Sequence, residues 1–248
     1  MTIETTPAKM PNDATQYSGS DLEALLTMRR YRSWILDEIG DFIGGRTLEI
    51  GAGVGSFSEH ILHRATHLDM IEPSEKLSRI LSEKKLDPHR VSLFQGTAES
   101  WLAENARGDY ETVVLINVLE HIEEDAAVVR DLFQVLRPGG HLVLFVPALP
   151  FLFSRLDAEF GHFRRYRMTP LREMIEATGF RVAKALFFDL LGVFPWWLVN
   201  KKMGCTSFNP ALVGLYDAIG VPVTRTLERL CHPPFGKNIV LVGQRPNS

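Results

Sequence analysis

Between Arg46 and Val146 the chain repeats one unit: a short apolar run, a turn, then apolar residues at helical spacing. The runs are Arg46–Ile50, His67–Ile71, Val91–Phe94, Thr112–Asn117 and His141–Val146. The fourth, TVVLIN, is almost wholly apolar and rich in β-branched residues, as a strand covered on both faces should be. Helices are expected from about Val54 to Arg64, through Leu77 and Leu81, around Trp101, and from about Glu124 to Leu136. Strands that alternate with helices predict a parallel, doubly wound sheet with right-handed crossovers. Such sheets bind ligands beyond the carboxyl ends of their strands, near the switch point. Candidate site residues therefore lie at 49–55, 72–74, 95–99 and 117–121.

The flanks complete an expected single domain over 21–248. A helix carrying Leu22, Leu25, Leu26, Tyr31, Trp34, Ile35 and Ile39 on one face precedes the first strand, capped by Ser20 or Asp21. Residues 1–20 are polar, lack the apolar core of a secretory signal and are expected to be flexible. The RPGG tract at 137–140 reads as a turn after the helix of Glu124–Leu136. After the fifth strand, 147–168 is a loop rich in aromatic and basic residues; Thr169 is expected to cap the next helix, with Pro170 at its first position. Strands six and seven are placed at Phe180–Phe187 and Asn238–Gly243. Two cysteines, Cys205 and Cys231, form neither a disulfide framework nor a CxxC zinc pair, which suits a reducing, cytoplasmic setting. A net charge of −3 argues against a broad nucleic-acid footprint. No apolar run approaches the ~20 residues of a membrane-spanning helix.

The stretch LEIGAGVGSF, Leu48 to Phe57, carries glycines at Gly51, Gly53 and Gly55. That spacing is GxGxG; the dinucleotide fingerprint GxGxxG would put its third glycine where Ser56 stands. Glu72 ends the second strand and can accept both hydroxyls of a ribose. Glu49, two residues before Gly51, suits a ligand with an ammonium or other cation and would repel a pyrophosphate. The pattern asks for an adenosine-like ribose with a positive group near Glu49.

LEIGAGVGSF, IEPS, GTAES, VVLINVLEHIEED and LRPGGHLVLFVP stand here in the order and spacing of class I S-adenosylmethionine-dependent methyltransferases, which the chain resembles over about residues 31 to 187. The resemblance implies a Rossmann-like seven-stranded sheet in the order 3-2-1-4-5-7-6, strand seven antiparallel, with S-adenosyl-L-methionine as cofactor. By position, Glu49, Gly51 and Gly53 would shape the pocket for the methionine part, and Glu72 would take the ribose. Thr97 and Ala98 would read adenine, Asn117 would offer its carbonyl to the amino group, and Tyr31 would cover the methyl end. A dehydrogenase reading leaves Glu49, LRPGG and the GxGxG spacing unexplained. The expected reaction is in-line displacement onto oxygen, nitrogen or carbon of a small acceptor, driven mainly by holding the reactants in near-attack geometry. The alternative is a catalytically inactive binding or regulatory protein on the same fold.

On the acceptor side, His121 in LEHIEE and His162 in GHFRRYR compete for the role of base. Beside His162 stand Arg164, Arg165, Tyr166 and Arg167. In one reading this is a solvated basic loop clamped by Asp157 or Glu159; in the other, His162 is a base or orienter, Tyr166 assists, and Arg165 binds the acceptor. No metal is expected: His60 and His63 fall on the polar side of a helix and His67 starts a strand. Glu120, Glu123, Glu124 and Asp125 read as the acidic first turn of the following helix. Residues 188–236 form an apolar helical insertion between strands six and seven, with Pro222 expected to break its second helix. The reading favoured here is a cap that buries Trp196 and Trp197 against the domain and selects an apolar or lipid-like acceptor. A homodimer surface and a peripheral membrane patch are the competing readings of the same residues.

Overall fold

Each apolar run becomes a strand of one seven-stranded sheet, ordered β3-β2-β1-β4-β5-β7-β6. The computed structural model describes residues 27–105 and 109–247, so the helix start at Ser20 or Asp21 and the character of 1–20 lie outside the described residues. The strands are β1 Gly45–Ile50, β2 Ala65–Glu72, β3 Val91–Gln95, β4 Tyr110–Ile116, β5 Leu136–Pro147, β6 Arg181–Phe188 and β7 Asn238–Gln244. The first five pair in parallel, and β7 runs antiparallel between β5 and β6. This is the expected order, with the expected reversal.

Two core layers form because successive strand residues point to opposite faces. Val113, Leu115, Leu142, Leu144 and Val146 pack on one side, against Val128, Leu132 and Val135 of helix α5 (Asp125–Val135) and Leu171 and Ile175 of α7 (Met168–Ala177). Val114, Val143, Phe145, Val240 and Val242 point to the other side, which Trp34, Ile35 and Ile39 of α1 (Arg29–Ile39) cover. Between these lie α2 Ser58–Leu62, α3 Glu75–Ser82, α4 Ala98–Glu104 and α6 Arg155–Glu159. Ser74 and Thr97 cap α3 and α4, accepting hydrogen bonds from Leu77 N–H and Ser100 N–H. The loops after β2 and β3 are thus fixed by the helices they start.

Four local expectations are corrected. α2 begins at Ser58 rather than Val54, because Gly51, Gly53 and Gly55 all take positive φ and hold the preceding segment in turns. RPGG lies inside β5: Gly139, at φ +80°, absorbs the irregularity, and its N–H bonds the carbonyl of Arg245. α7 begins at Met168 with Arg167 as its cap, leaving Pro170 in the first turn, where a missing N–H costs nothing. Pro222 does not break its helix. α9 (Pro210–Leu215) continues through a π-helical stretch, Tyr216–Gly220, into α10 (Val221–Leu230). The wider turn before Pro222 makes room for its ring. The insertion's first part is α8, Val193–Pro195, continuing as a π-helix over Trp196–Lys202. Its base is pinned by buried Asp189, which pairs with Lys237 Nζ at 2.9 Å and accepts hydrogen bonds from Gly192 N–H and the Tyr216 hydroxyl.

Candidate active site

The glycine turn bends straight off β1 across the end of β2: Gly51 N–H and Ala52 N–H both donate to the carbonyl of Ile71, at 2.8 and 3.1 Å. Gly51 needs to be glycine twice over. Its φ is +71°, and an added Cβ would lie 2.4 Å from Val118 Cγ2 in the loop after β4. Glu72, at the end of β2, is buried and holds this turn: its carboxylate accepts Gly53 N–H at 2.7 Å and Ser74 N–H at 2.9 Å. A carboxylate has about four acceptor positions, so two remain for ligand hydroxyls. Burial pushes its pKa up, opposed by those two N–H bonds.

Glu49 is 5% exposed and accepts a hydrogen bond from Ser58 Oγ at 2.5 Å. Burial drives its pKa up to about 7; the Ser58 bond and the Lys84 charge pull down, while the Glu72 charge pushes further up. A buried carboxylate that titrates near neutrality beside a second one is stabilised in its charged form by a cation. Ser58 was missed from sequence, although a hydroxyl on the first turn of the helix facing Glu49 was a readable signal. Thr97 sits at the α4 cap and Ala98 is buried behind it. Asn117, just past β4, takes φ +52° and donates its N–H to Phe145 O at 2.8 Å, so it turns the chain out of the sheet at the same edge.

Tyr166 joins the chain just past β5 through an isolated parallel bridge to Ala148, with Tyr166 N–H on Pro147 O and Leu149 N–H on Tyr166 O. Phe163 N–H donates to the carbonyl of Glu120 at 2.9 Å, which ties the loop after β5 to the loop after β4. Asp157 organises the inside. Its Oδ1 is 3.1 Å from His162 Nδ1 and 2.8 Å from both Nε and Nη2 of Arg165. Burial would raise the Asp157 pKa, but His162 and Arg165 outweigh it and hold it at about 2. Nδ1 of His162 therefore carries the hydrogen toward an ionised carboxylate, and its Nε2 is left as the acceptor. The two readings of this loop meet here: the ion pair with Asp157 exists, and it positions His162.

The hydroxyl of Tyr166, the third catalytic candidate, is engaged inside the protein. It is shared between Asp125 Oδ2 at 2.8 Å and the carbonyl of Leu119 at 3.0 Å. Burial, and then the charges of Asp125 and Glu120, push its pKa far above that of a free phenol. Arg165 is likewise turned inward, onto Asp157, the carbonyl of Ala148 and the ring of Trp196 at 4.5 Å, rather than toward an open acceptor space. His121 meets His162 edge to face, with ring centroids 4.6 Å apart; burial, and then His162, lower its pKa to about 3. Glu120 is not part of a helical first turn. It is fully buried in the 3-10 turn Leu119–His121, and sequence reasoning missed it because neighbouring acids masked it.

Tyr31 is buried at β7's start, its hydroxyl donating to Asn238 Oδ1 at 3.1 Å, its ring packed edge-on against Phe188 and under the Lys237 ammonium at 4.9 Å. Trp196 is half-buried beside the loop of His162, with Nε1–H on the carbonyl of Leu152 at 3.2 Å. Trp197 departs from the expected burial. It is 41% exposed, with the Lys202 ammonium 5.4 Å from its ring.

A family model described as a methyltransferase domain matches residues 25–185. The chain is 30% identical over 152 residues to a ubiquinone biosynthesis O-methyltransferase of Marinobacter nauticus, covering 57% of this chain and 61% of that one. It is 33% identical over 136 residues to the protein of the same name from Aromatoleum aromaticum, covering 51% and 55%. The chain thus spans about half to three-fifths of the length of these relatives. Among solved structures, phosphoethanolamine N-methyltransferase 2 of Haemonchus contortus with S-adenosyl-L-methionine aligns with a TM-score of 0.63 at 14% identity, covering 96% of this chain and 60% of that one. A SAM-dependent methyltransferase from Archaeoglobus fulgidus aligns with 0.58 at 14% identity, covering 88% and 94%. Those identities speak to the fold alone, and the fold agrees with the family match that spans β1 to β6 and the glycine turn: the chain belongs to the methyltransferase domain family.

Proposed function

We propose that the chain transfers a methyl group from S-adenosyl-L-methionine to a small, apolar or lipid-like acceptor by direct in-line displacement. One observation carries this reading: two buried carboxylates, Glu49 and Glu72, stand at the ends of β1 and β2 on a GxGxG turn that Glu72 itself holds. The cofactor, when bound, supplies an electrophilic methyl on a sulfonium. Glu49 matches its ammonium, Glu72 its ribose hydroxyls, and the Thr97–Ala98 cap and Asn117 border the space for its adenine and amino group. The relatives' name favours oxygen as the atom methylated.

His162 presents Nε2 for a proton of the acceptor hydroxyl, and Asp157 fixes the tautomer and stabilises the ring once protonated. Arg165 and Tyr166 hold that pair in place from behind. The apolar acceptor is drawn from a lipid surface on which the insertion rests. Phe194, Trp197, Leu198 and Met203 are exposed next to Lys201 and Lys202, a combination suited to an interface with anionic headgroups. Among the described residues no helix is long and apolar enough to cross a membrane, so the contact is peripheral. A second copy of the chain is the competing occupant of that face.

Calorimetry with S-adenosyl-L-methionine and S-adenosylhomocysteine tests the cofactor reading; no binding at millimolar ligand overturns it. Mass spectrometry of a hydroxylated aromatic carrying a prenyl tail, presented in vesicles of mixed neutral and anionic lipid, tests the acceptor class. Methylation of water-soluble hydroxyaromatics alone, with no vesicle dependence, defeats the lipid reading.

A further inference from the structure

Where the loop after β4 meets the loop after β5, Glu120, His121 and His162 each offer one ligand atom, all within 4.8 Å of one another. Glu120 is fully buried and His162 is 9% exposed. The Phe163 N–H bond to Glu120 O and the His162 N–H bond to Asp157 O, both 2.9 Å, fix the backbone on either side. Asp157 occupies Nδ1 of His162, and its other nitrogen, Nε2, is buried with no hydrogen-bond partner among the described residues. The His121 ring is hydrogen-bonded to the backbone of Gly161. A buried polar nitrogen without a partner is uncommon and costly, and asks for an occupant.

We propose that Glu120, His121 and His162 bind a divalent transition-metal ion of the zinc class, their three donors leaving one position of a four-coordinate site open. Two imidazoles and a carboxylate are a known donor set for zinc sites that keep an open position, whereas magnesium and calcium call for oxygen ligands. Metal-bound imidazoles almost always hold their second nitrogen on a carboxylate or backbone carbonyl. Both partners are in place here: Asp157 for His162 and the Gly161 backbone for His121. Tetrahedral bonds of about 2.0–2.2 Å put ligand atoms about 3.4 Å apart, so closing the cluster from within 4.8 Å asks for side-chain shifts of roughly 1 Å. His60, His63 and His67 lack this convergence; His67 Nε2 already meets Ser92 and Asp69. The ion takes Nε2 of His162 in place of a proton, so His162 serves as the base of the proposed reaction only while the ion is absent. Its binding does not depend on methyl transfer or on cofactor binding, so this inference and the functional reading can fail separately.

The untagged 248-residue chain is dialysed against Zn2+ and analysed for metal, then loaded with Co2+ and its visible spectrum recorded. One ion per chain and the ligand-field bands of a four-coordinate site are expected. His162→Ala and Glu120→Gln should each weaken Zn2+ binding by more than the ~10–100-fold typical of losing an outer partner, and Asp157→Asn should fall within that range. S-adenosyl-L-methionine affinity of His162→Ala, measured by calorimetry, should stay unchanged. Absence of stoichiometric uptake by the wild type overturns the site even if a variant fails to fold. Uptake that survives His162→Ala but is lost in His60→Ala overturns it as well.

Discussion

The cofactor half of the sheet and the insertion after β6 follow opposite rules of burial. Around β1, β2 and β4 apolar side chains point inward, and the buried acids Glu49 and Glu72 stand at strand ends, each with a hydrogen-bond donor. In the insertion, the helix running from α9 to α10 sends Leu212, Leu215, Ile219, Val223, Leu227 and Leu230 outward, 39% to 80% exposed. Their spacing of three and four places them in one stripe. The inward face is mixed: Val221 is buried in the core with Val213 and Tyr216 packed against it, and polar contacts fasten the helix beside them. Asp217 accepts N–H bonds from Arg30 and Tyr31 and so caps α1, Glu228 accepts Leu190 N–H, and Thr224 bonds back to Gly220 O. A strand covered on both sides has no choice about where its apolar residues go. A helix fastened by polar contacts on its inner face can keep an apolar stripe for another partner.

The largest difference between the regions should appear at glycines. Gly51→Ala forces a Cβ into Val118 at φ +71°. Left-handed backbone costs about 1–2 kcal/mol and overpacking about 1–3 kcal/mol more. A lowered melting temperature and loss of measurable cofactor binding are expected. Gly214, inside α9, has open space where a Cβ would stand, so Gly214→Ala should stabilise by about 0.5–1 kcal/mol through helix propensity. Equal effects at the two positions would erase the contrast.

Glu72→Ala comes next. It removes the ribose acceptor and strands the N–H groups of Gly53 and Ser74. Hydrogen bonds to a charged group contribute about 1.5–3 kcal/mol, so cofactor affinity should drop roughly 10–100-fold. The turn should loosen too, visible as faster amide exchange at Gly53. Glu72→Gln keeps one acceptor oxygen and should lose less. Unchanged affinity in Glu72→Ala would mean the ribose is held elsewhere.

The same contrast explains what was legible in the sequence. Apolar periodicity located the strands to within two residues for all but β5, because two-sided coverage writes itself into TVVLI and its neighbours. The strand order came from the family resemblance, not from periodicity. The bond of the Tyr166 phenol to Asp125 has no sequence mark, since a loop tyrosine next to an active edge reads the same whether its hydroxyl is free or held. Glu120 was lost among Glu123, Glu124 and Asp125, since burial of one acid in four depends on a 3-10 turn. Trp197 was expected inside because apolar content alone does not say which face of a helix the fold will use. Asp217 and Glu228, which fasten the α9–α10 helix, act across about 190 and 40 residues of chain and carry no local signal.

Glu49 gives a subtler test through pH. Its pKa in the folded protein is about 7, above the ordinary carboxylate value. Between that ordinary value and pH 7 the folded state keeps a proton that the unfolded state has lost, so its contribution to stability falls as pH rises through this window. A bound ammonium favours the ionised form and reverses the preference. Cofactor affinity should therefore rise with pH up to about 7, by at most tenfold per unit, and level off above it. Calorimetry at pH 6 in buffers of different ionisation enthalpy should detect proton release on binding. Glu49→Gln should bind weakly with no pH dependence. A flat profile in the wild type would separate Glu49 from the cofactor's cation.

The smallest effect on stability is expected in the apolar stripe, and there it is most diagnostic. Ile219 and Val223 are 59% and 47% exposed, so Ile219→Ser and Val223→Ser remove little from the folded interior. Exposed substitutions of this kind usually change stability by no more than about 0.5 kcal/mol. If the stripe meets lipid, the double variant should melt like the wild type yet fail to co-sediment with vesicles containing anionic lipid. Adding Lys201→Glu and Lys202→Glu should weaken sedimentation further and make the remainder insensitive to salt, since the attraction of basic residues to anionic headgroups is screened within a Debye length. Light scattering separates the competing occupant: a wild-type dimer that Ile219→Ser and Val223→Ser dissociate, with vesicle binding absent in both forms, would assign the stripe to a second copy of the chain. A loss of several kcal/mol in the double variant would contradict the comparison itself, because it would mean that these side chains pack inside the protein as those of the sheet do.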